Sequence, residues 1–294
     1  MRPGQQTSFV IASRNRAAEL TSTMTRLLDT TPCRIILVDN GSEDDSVDAA
    51  GKVAARSGGR VRIIELGRNL GAPARNVGVA ACGTPYVAFC DDDSWWTPDA
   101  PAIAEALFAA HPGVGLLAAK TVVWPQRTED PLVQLLASSP LGTRPGLPGP
   151  SILGFLACSS IVRAEAFSAA GGFSPVLHFR GEEQLLALDM ARLGWDLCYC
   201  AELVAIHQPS ATRPTSAAQD ARSLRNDVLT TWMRRPLPHC LRASGRLLHA
   251  ALHDTEHARA AGEAFLRLPA AIAQRRPLPE ALERDLRTLE TGGP

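Results

Sequence analysis

The residues of this chain best suited to chemistry are acidic and fall into two groups. Asp91, Asp92 and Asp93 close the apolar run 86–90, and Glu182 and Glu183 follow Gly181. Three adjacent carboxylates repel one another. Asp91-x-Asp93 can present two of them near one point, as a hard divalent cation requires, and Mg2+ or Mn2+ completes its shell with waters and substrate phosphates. The same tripeptide also reads as a solvated acidic turn. Glu182 and Glu183 at a helix start read as dipole partners, or as a general base whose pKa is raised by burial and nearby aspartates. Asp39 ends another apolar run ahead of Asn40-Gly41-Ser42. It either satisfies the amides of that turn or accepts from a nucleobase imide or ribose hydroxyl. His207, at the end of the run 197–206, is a satisfied ring or a ligand for metal or phosphate. Residues 69–76, with Asn69, Arg75 and Asn76 among small residues, could cradle a phosphate or base. Trp95 and Trp96 either stack on a sugar or pack in a core.

These residues need elements to bring them together. Residues 9–12, 35–38, 61–66, 86–90 and 114–119 are short apolar runs suited to strands covered on both faces. Leu20, Met24, Leu27 and Leu28 share one helical face that ends before Pro32. Ser42 or Asp44 caps a helix to about Arg56, residues 72–81 form a short helix, and Pro98 opens another at its first turn. Strand–helix alternation with short connections predicts a parallel sheet flanked by helices, with ligands at the carboxyl ends of its strands. Residues 13–15, 39–42 and 91–93 all lie at such ends, so they converge on one rim. Residues 125–150 read as a long irregular loop, 182–193 as a helix stopped by Gly194, and 197–206 as a strand. From Ser210 onward the pattern is helical, with Pro236, Pro238, Pro269, Pro277 and Pro279 as breaks.

The bulk numbers narrow the class. A chain of 294 residues, 45% hydrophobic, can build one large α/β domain with a smaller appendage. Lys+Arg and Asp+Glu stand at 30 each, which argues against a nucleic-acid partner. Seven cysteines without a CxxC pair read as free thiols in a reducing compartment. The first residues lack the apolar stretch of a signal peptide, and no run of 18 apolar residues occurs. The expected location is cytoplasmic, at most peripheral on the inner membrane face. Arg222, Arg225, Arg234, Arg235, Arg242 and Arg246 either rest on an anionic membrane, or belong to a helical appendage that packs on the main domain or forms a dimer contact.

Taken in order, these segments resemble the family 2 glycosyltransferases, inverting enzymes of the GT-A fold. The matching residues run from Ser8 through Ser13-Arg14-Asn15-Arg16 to Val38-Asp39-Asn40-Gly41-Ser42. They continue with Asn69-x-Gly71, Ala74-Arg75-Asn76-x-Gly78 and the approach to the aspartates, then Gly171-Gly172-Phe173, Gly181-Glu182-Glu183 and His207. The resemblance covers about residues 7–210. It implies a catalytic domain over 1–210, with a nucleotide-binding half (1–120) and an acceptor half (121–210), and a helical extension over 211–294. It further implies a UDP-, dTDP- or GDP-sugar donor and a glycan, lipid-linked or small-molecule acceptor.

By the same resemblance, Asp39 and Asn40 would meet the base with residues 13–16 nearby, and Asn69, Arg75 and Glu182 would lie at the nucleotide or donor. Asp91 and Asp93 would hold Mg2+ or Mn2+ on the diphosphate, His207 would reach the metal, Asp92 would contact the ribose or support the turn, and Glu183 would be the base. The family usually has Glu-Asp where this chain has Glu182-Glu183, and often a further acid where it has Leu185. Two other readings compete. A sugar nucleotidyltransferase would usually begin with a glycine-rich, Arg-containing loop followed by Lys, unlike residues 13–16. A non-catalytic nucleotide-sugar binder would explain the altered Glu pair.

Overall fold

The computed structural model describes residues 4–210 and 216–292, so the expected helix and domain boundary just after Ser210 lie partly outside the described residues. The strands are β1 (Thr7–Ser13), β2 (Arg34–Asp39), β3 (Val61–Glu65), β4 (Tyr86–Cys90), β5 (Ser94–Trp96), β6 (Val114–Val123), β7 (Thr128–Glu129), β8 (Ser160–Arg163) and β9 (Asp196–His207). The first helices are α1 (Ala17–Thr30), α2 (Ser46–Ala55), α3 (Ala74–Ala80), α4 (Ala100–Ala110), α5 (Pro131–Ala137), α6 (Ala164–Ala169) and α7 (Glu182–Arg192). After them come α8 (Ser216–Arg234), α9 (Leu237–Ala251), α10 (Thr255–Ala273) and α11 (Glu280–Thr291).

The strands form one sheet in the order β3-β2-β1-β4-β8-β6-β9-β5, with β7 on β6. Strands β1 to β4 pair in parallel, as do β6 and β9, while β8, β5 and β7 join their neighbours antiparallel. Alternation along the strands decides what each face buries. Phe9, Ile11, Ile35 and Leu37 pack with Leu20, Met24 and Phe108 on the α1 and α4 side. Val10, Ile36 and Val38 pack with Val79, Phe167, Leu186 and Met190 on the other. Burial on both faces is why these strands read as unbroken apolar runs.

Several local expectations change. Helix α2 follows Asp45, so neither Ser42 nor Asp44 is its cap, although Asp44 Oδ1 still accepts from Ser46 N at 3.0 Å. Pro101, not Pro98, occupies the first turn of α4. The segment 125–150 is not wholly irregular. It holds β7 and α5, the latter capped by Asp130, whose side chain accepts from Leu132 N at 2.9 Å. Pro269 lies inside α10 instead of ending it.

Ion pairs tie the C-terminal helices to one another and, through Arg234 and Asp189, to the sheet part of the chain. Arg234 donates from Nε to Asp189 Oδ1 at 2.6 Å and from Nη2 to Oδ2 at 2.8 Å, joining α8 to α7. Arg235 meets Glu283 at 2.8 Å and also pairs with Glu290, while Arg225 pairs with Glu263. Arg225, Arg234 and Arg235 are therefore buried cross-links and do not form a surface for anionic lipid. Among the described residues no helix is long and apolar enough to cross a membrane. All seven cysteines are free thiols.

Candidate active site

Strand register builds the rim. Ser13 lies beside Asp39, and Ile11 beside Cys90, so the polar ends of β2, β1 and β4 are neighbours. Ser13 Oγ donates to Asp92 Oδ2 at 2.9 Å, and Thr23 Oγ1 donates to the Asp92 carbonyl at 2.7 Å. Burial, then the charge of Asp91, pushes the Asp92 carboxyl up to about 7. Directly after the aspartates the chain reverses into β5, which pairs Ser94 with His207 of β9. That pairing carries His207 Nε2 to 3.5 Å from Asp93 Oδ1. Asp93 Oδ2 also accepts from Ser210 N at 3.2 Å. A three-residue strand is too short for a periodic pattern to announce, so local reading missed the device that joins His207 to Asp93.

Arg75, on the first turn of α3, is buried and ion-paired to Asp91. Burial opposes its charge, yet Asp91, Glu182 and Glu183 together hold its pKa above the ordinary arginine value. Glu182 and Glu183 open α7. Glu182 is buried, with Oε2 lacking any hydrogen-bond partner, whereas Glu183 is half-buried. Burial, then the charge of Glu183, pushes Glu182 up to about 8. Glu183 is also raised, chiefly by burial, but backbone amides and Arg75 favour its ionised form. Two adjacent carboxyls in one crowded place share a proton, and the deeper burial of Glu182 with its unpartnered Oε2 favours that residue as the holder.

These groups face a cleft of about 640 Å3, lined by Arg16, Arg75, Asp91, Asp92, Asp93, Glu182, Glu183 and His207 of the expected residues. The other expected contacts hold the rim in shape. Asp39 Oδ2 accepts from Gly41 N at 3.2 Å and Ser42 N at 3.0 Å. Asn40 donates to Gly71 O at 3.1 Å and accepts from Leu70 N at 2.7 Å, and Asn69 Oδ1 accepts from Gly71 N at 2.8 Å. Arg14 bonds Gly41 O at 3.0 Å and Glu43 at 2.9 Å, and Asn15 Oδ1 accepts from Glu43 N at 2.8 Å. The tryptophans correct the sugar-stacking alternative. Trp95 is 7% and Trp96 1% exposed within the core, Trp96 Nε1 donates to Phe89 O at 3.0 Å, and the Arg26 guanidinium covers the Trp95 ring.

The cleft also takes a wall from residues that sequence reading placed elsewhere or passed over: Asp130, Arg180, Gln219, Arg222 and Ser223. Arg180 has φ +74° and donates to Ser223 Oγ at 3.2 Å and to Gln219. His178 shares the left-handed backbone, and the buried Asn226 amide of α8 braces this strained turn through the carbonyls of Leu177, Phe179 and Arg180. Arg222 makes no salt bridge to a described residue. The arginine-rich composition of α8 was visible in the sequence, but which arginines face the cleft depends on how α8 docks.

Six carboxyl groups and four arginines line this space. With Glu182 protonated and Asp92 raised to about 7, these charges come close to balance, so a diphosphate would bring negative charge that a divalent cation could relieve. Among the described residues no three His, Cys, Asp or Glu side chains converge to hold a metal alone. Asp93 and His207 form a pair, and such a pair with phosphate oxygens is a workable donor set for Mg2+ or Mn2+. Asp91, the other expected ligand, is engaged by Arg75.

Comparison with known proteins fits this geometry. A mannosyltransferase from Pyrobaculum calidifontis, solved with GDP-Man and Mn2+, is 17% identical with a TM-score of 0.61, over 98% of this chain and 79% of its own. GalNAc-T7, solved with UDP, GalNAc and Mn2+, is 15% identical with a TM-score of 0.60, over 77% of this chain and 47% of its own. S. aureus TarS is 17% identical with a TM-score of 0.57, over 76% of this chain, which spans only 39% of the TarS length. These likenesses establish a GT-A fold. A search of curated proteins gives no match. The sequence matches the model of Glycosyl transferase family 2 over residues 8–168. That match takes in more than half of the chain and the strand ends bearing Asp39 and Asp91-x-Asp93, and the chain belongs to glycosyl transferase family 2.

Proposed function

We propose that this glycosyltransferase moves a sugar from a nucleoside diphosphate sugar to an acceptor hydroxyl, with inversion at the anomeric carbon. The observation that carries the reading is the shared cleft: Glu183 opens onto the same space as Asp91, Asp93, His207 and Arg222. The acceptor oxygen attacks the anomeric carbon from the face opposite the diphosphate and gives its proton to Glu183. The bond to the diphosphate breaks, and its electron pair leaves with the phosphate oxygen. Glu182, kept protonated by burial, spares the base a second charge beside it. Asp93 and His207 would hold Mg2+ or Mn2+, which would supply Lewis-acid neutralisation of the leaving group. Arg16 and Arg222 add positive charge to the cleft wall, and Asp91 sets Arg75 in place.

Relatives solved with UDP, UDP-GlcNAc or GDP-Man support a nucleotide-sugar donor. Asp39, at the outer end of β2, is assigned to the base side of that donor. We divide the chain into a catalytic unit, 1–210, and an extension, 211–294, which lends Gln219 and Arg222 to the cleft. The free thiols suit a cytoplasmic protein.

Product analysis over a panel of nucleotide sugars with Mn2+ tests the reaction. Release of nucleoside diphosphate is expected, and release of pyrophosphate would replace transfer by nucleotidyl chemistry. Glu183→Gln is expected to lower turnover about 10²–10⁴-fold while donor affinity stays near wild type. Wild-type turnover in that variant would remove Glu183 as the base. Asp93→Ala is expected to abolish both transfer and the metal-dependent part of donor binding, as read by calorimetry with and without chelator.

A further inference from the structure

The space in front of Glu183 continues beyond the cleft. A second groove, of about 490 Å3, begins at Gly181 and Glu183 and runs between α5 and α11. Of the six carboxyl groups in the cleft, Glu183 is the one that lines both spaces. The character of the wall changes sharply between them. The cleft is ionic, whereas the groove is walled by Leu132, Leu135, Ile152, Phe155, Leu286 and Leu289. Of its polar groups, Ser139 Oγ donates to Ser151 O at 2.6 Å and Glu290 pairs with Arg235, while Gln184 and Glu183 stand at the end next to the cleft.

The groove is preformed. Its α11 side is anchored by the buried Arg235–Glu283 pair and by Arg144 against Asp285 at 2.6 Å. Leu286 of α11 is inserted beside Leu153 and Leu188. On the α5 side, Leu136 is 9% exposed while its neighbour Leu135, on the groove wall, is 48% exposed. A polyhydroxylated acceptor would lose water here and find few partners, a costly exchange for polar groups. A hydrocarbon body would gain what those hydroxyls lose.

We propose that this groove is the acceptor subsite and that the acceptor is an amphiphilic alcohol. Its nucleophilic hydroxyl lies at Glu183 and its apolar body along Leu132, Leu135 and Leu289. This inference rests on the transfer reading above, since only that reading gives Glu183 an acceptor to deprotonate. Burial of the tail also keeps bulk water away from the base, which limits loss of the donor to hydrolysis.

The test uses the full chain and three probes, methyl, hexyl and octyl β-glucoside, below micelle-forming concentrations. Calorimetric affinity is expected to rise about two- to fourfold per methylene that enters the groove. In Leu135→Asp, a change at an exposed position, that dependence is expected to flatten while nucleotide-sugar affinity matches wild type, the latter also reporting an intact fold. Nucleoside diphosphate release from the donor is expected to change with octyl but not methyl glucoside, because only the long probe is held at Glu183. Equal affinity for methyl and octyl glucoside would overturn the subsite, as would tail-dependent binding that survives Leu135→Asp or leaves release unaltered. Tail-dependent binding by a protein that binds no nucleotide sugar would instead retire the transfer reading and the acceptor role with it.

Discussion

Two neighbouring carboxyls at the start of α7 cannot both ionise cheaply beside Asp91 and out of bulk water. The buried Glu182, with an unpartnered oxygen, is better off neutral, and Glu183 is left as the carboxylate. The consequence is a pH profile. Burial raises Glu183 above the ordinary 4.5, so kcat/KM is expected to climb with pH along a limb displaced above that value, as the base loses its proton. A second inflection is expected near about 8, where Glu182 ionises. In Glu182→Gln the acidic limb should persist and the upper inflection vanish. A pH–rate series on both proteins checks this, and loss of the acidic limb in Glu182→Gln would exchange the two roles. The lengthened Glu183 side chain, where relatives of the family usually carry aspartate, is thus compatible with base chemistry.

At the scale of elements, the site depends on loops that are cross-braced to one another. Asn76 of α3 binds both backbone groups of Phe173, donating to its carbonyl and accepting from its amide at 2.9 Å each. Gly71 occupies φ +69°, and Ala72 N donates to His178 O at 2.7 Å, so the loop before α3 rests on the strained turn before α7. A Cβ on Gly71 would lie 2.2 Å from the His178 carbonyl oxygen. Gly71→Ala is therefore expected to destabilise the fold by about 1–3 kcal/mol, from overpacking and left-handed strain together. It should also lower turnover more than donor affinity, since the displaced turn carries Glu183. Urea unfolding and steady-state kinetics on one preparation measure both effects.

For the molecule as a whole, the C-terminal helices complete the cleft. Helix α8 contributes Gln219, Arg222 and Ser223 to its wall, braces the 177–180 turn through Asn226, and locks to α7 through Arg234–Asp189. Both side chains of that ion pair are under 10% exposed. Removing one partner leaves a buried charge alone, so Arg234→Ala is expected to cost about 3–5 kcal/mol. Chemical denaturation reads the loss, and a change below about 1 kcal/mol would mean that water reaches Asp189 once the guanidinium is gone.

Much of this protein is legible along the chain because its physics is local. Doubly covered strands need continuous apolar runs, a parallel sheet puts its polar turns at one rim, and the residues at β1, β2 and β4 ends follow from that alone. Asp39 and the three aspartates were visible for this reason, and the Glu pair as acids opening a helix after Gly181. What the sequence left open involves partners far apart in number. The His207–Asp93 contact arises from a three-residue antiparallel strand. Trp95 and Trp96 point into the core because β5 is covered by α1. Arg225, Arg234 and Arg235 turn inward while Arg222 faces the cleft, since the docking of α8, not its composition, selects which side of the helix meets carboxylates. The groove beyond Glu183 exists because α11, nearly a hundred residues later in the chain, packs on Leu153 and Leu188 and leaves uncovered hydrocarbon between itself and α5.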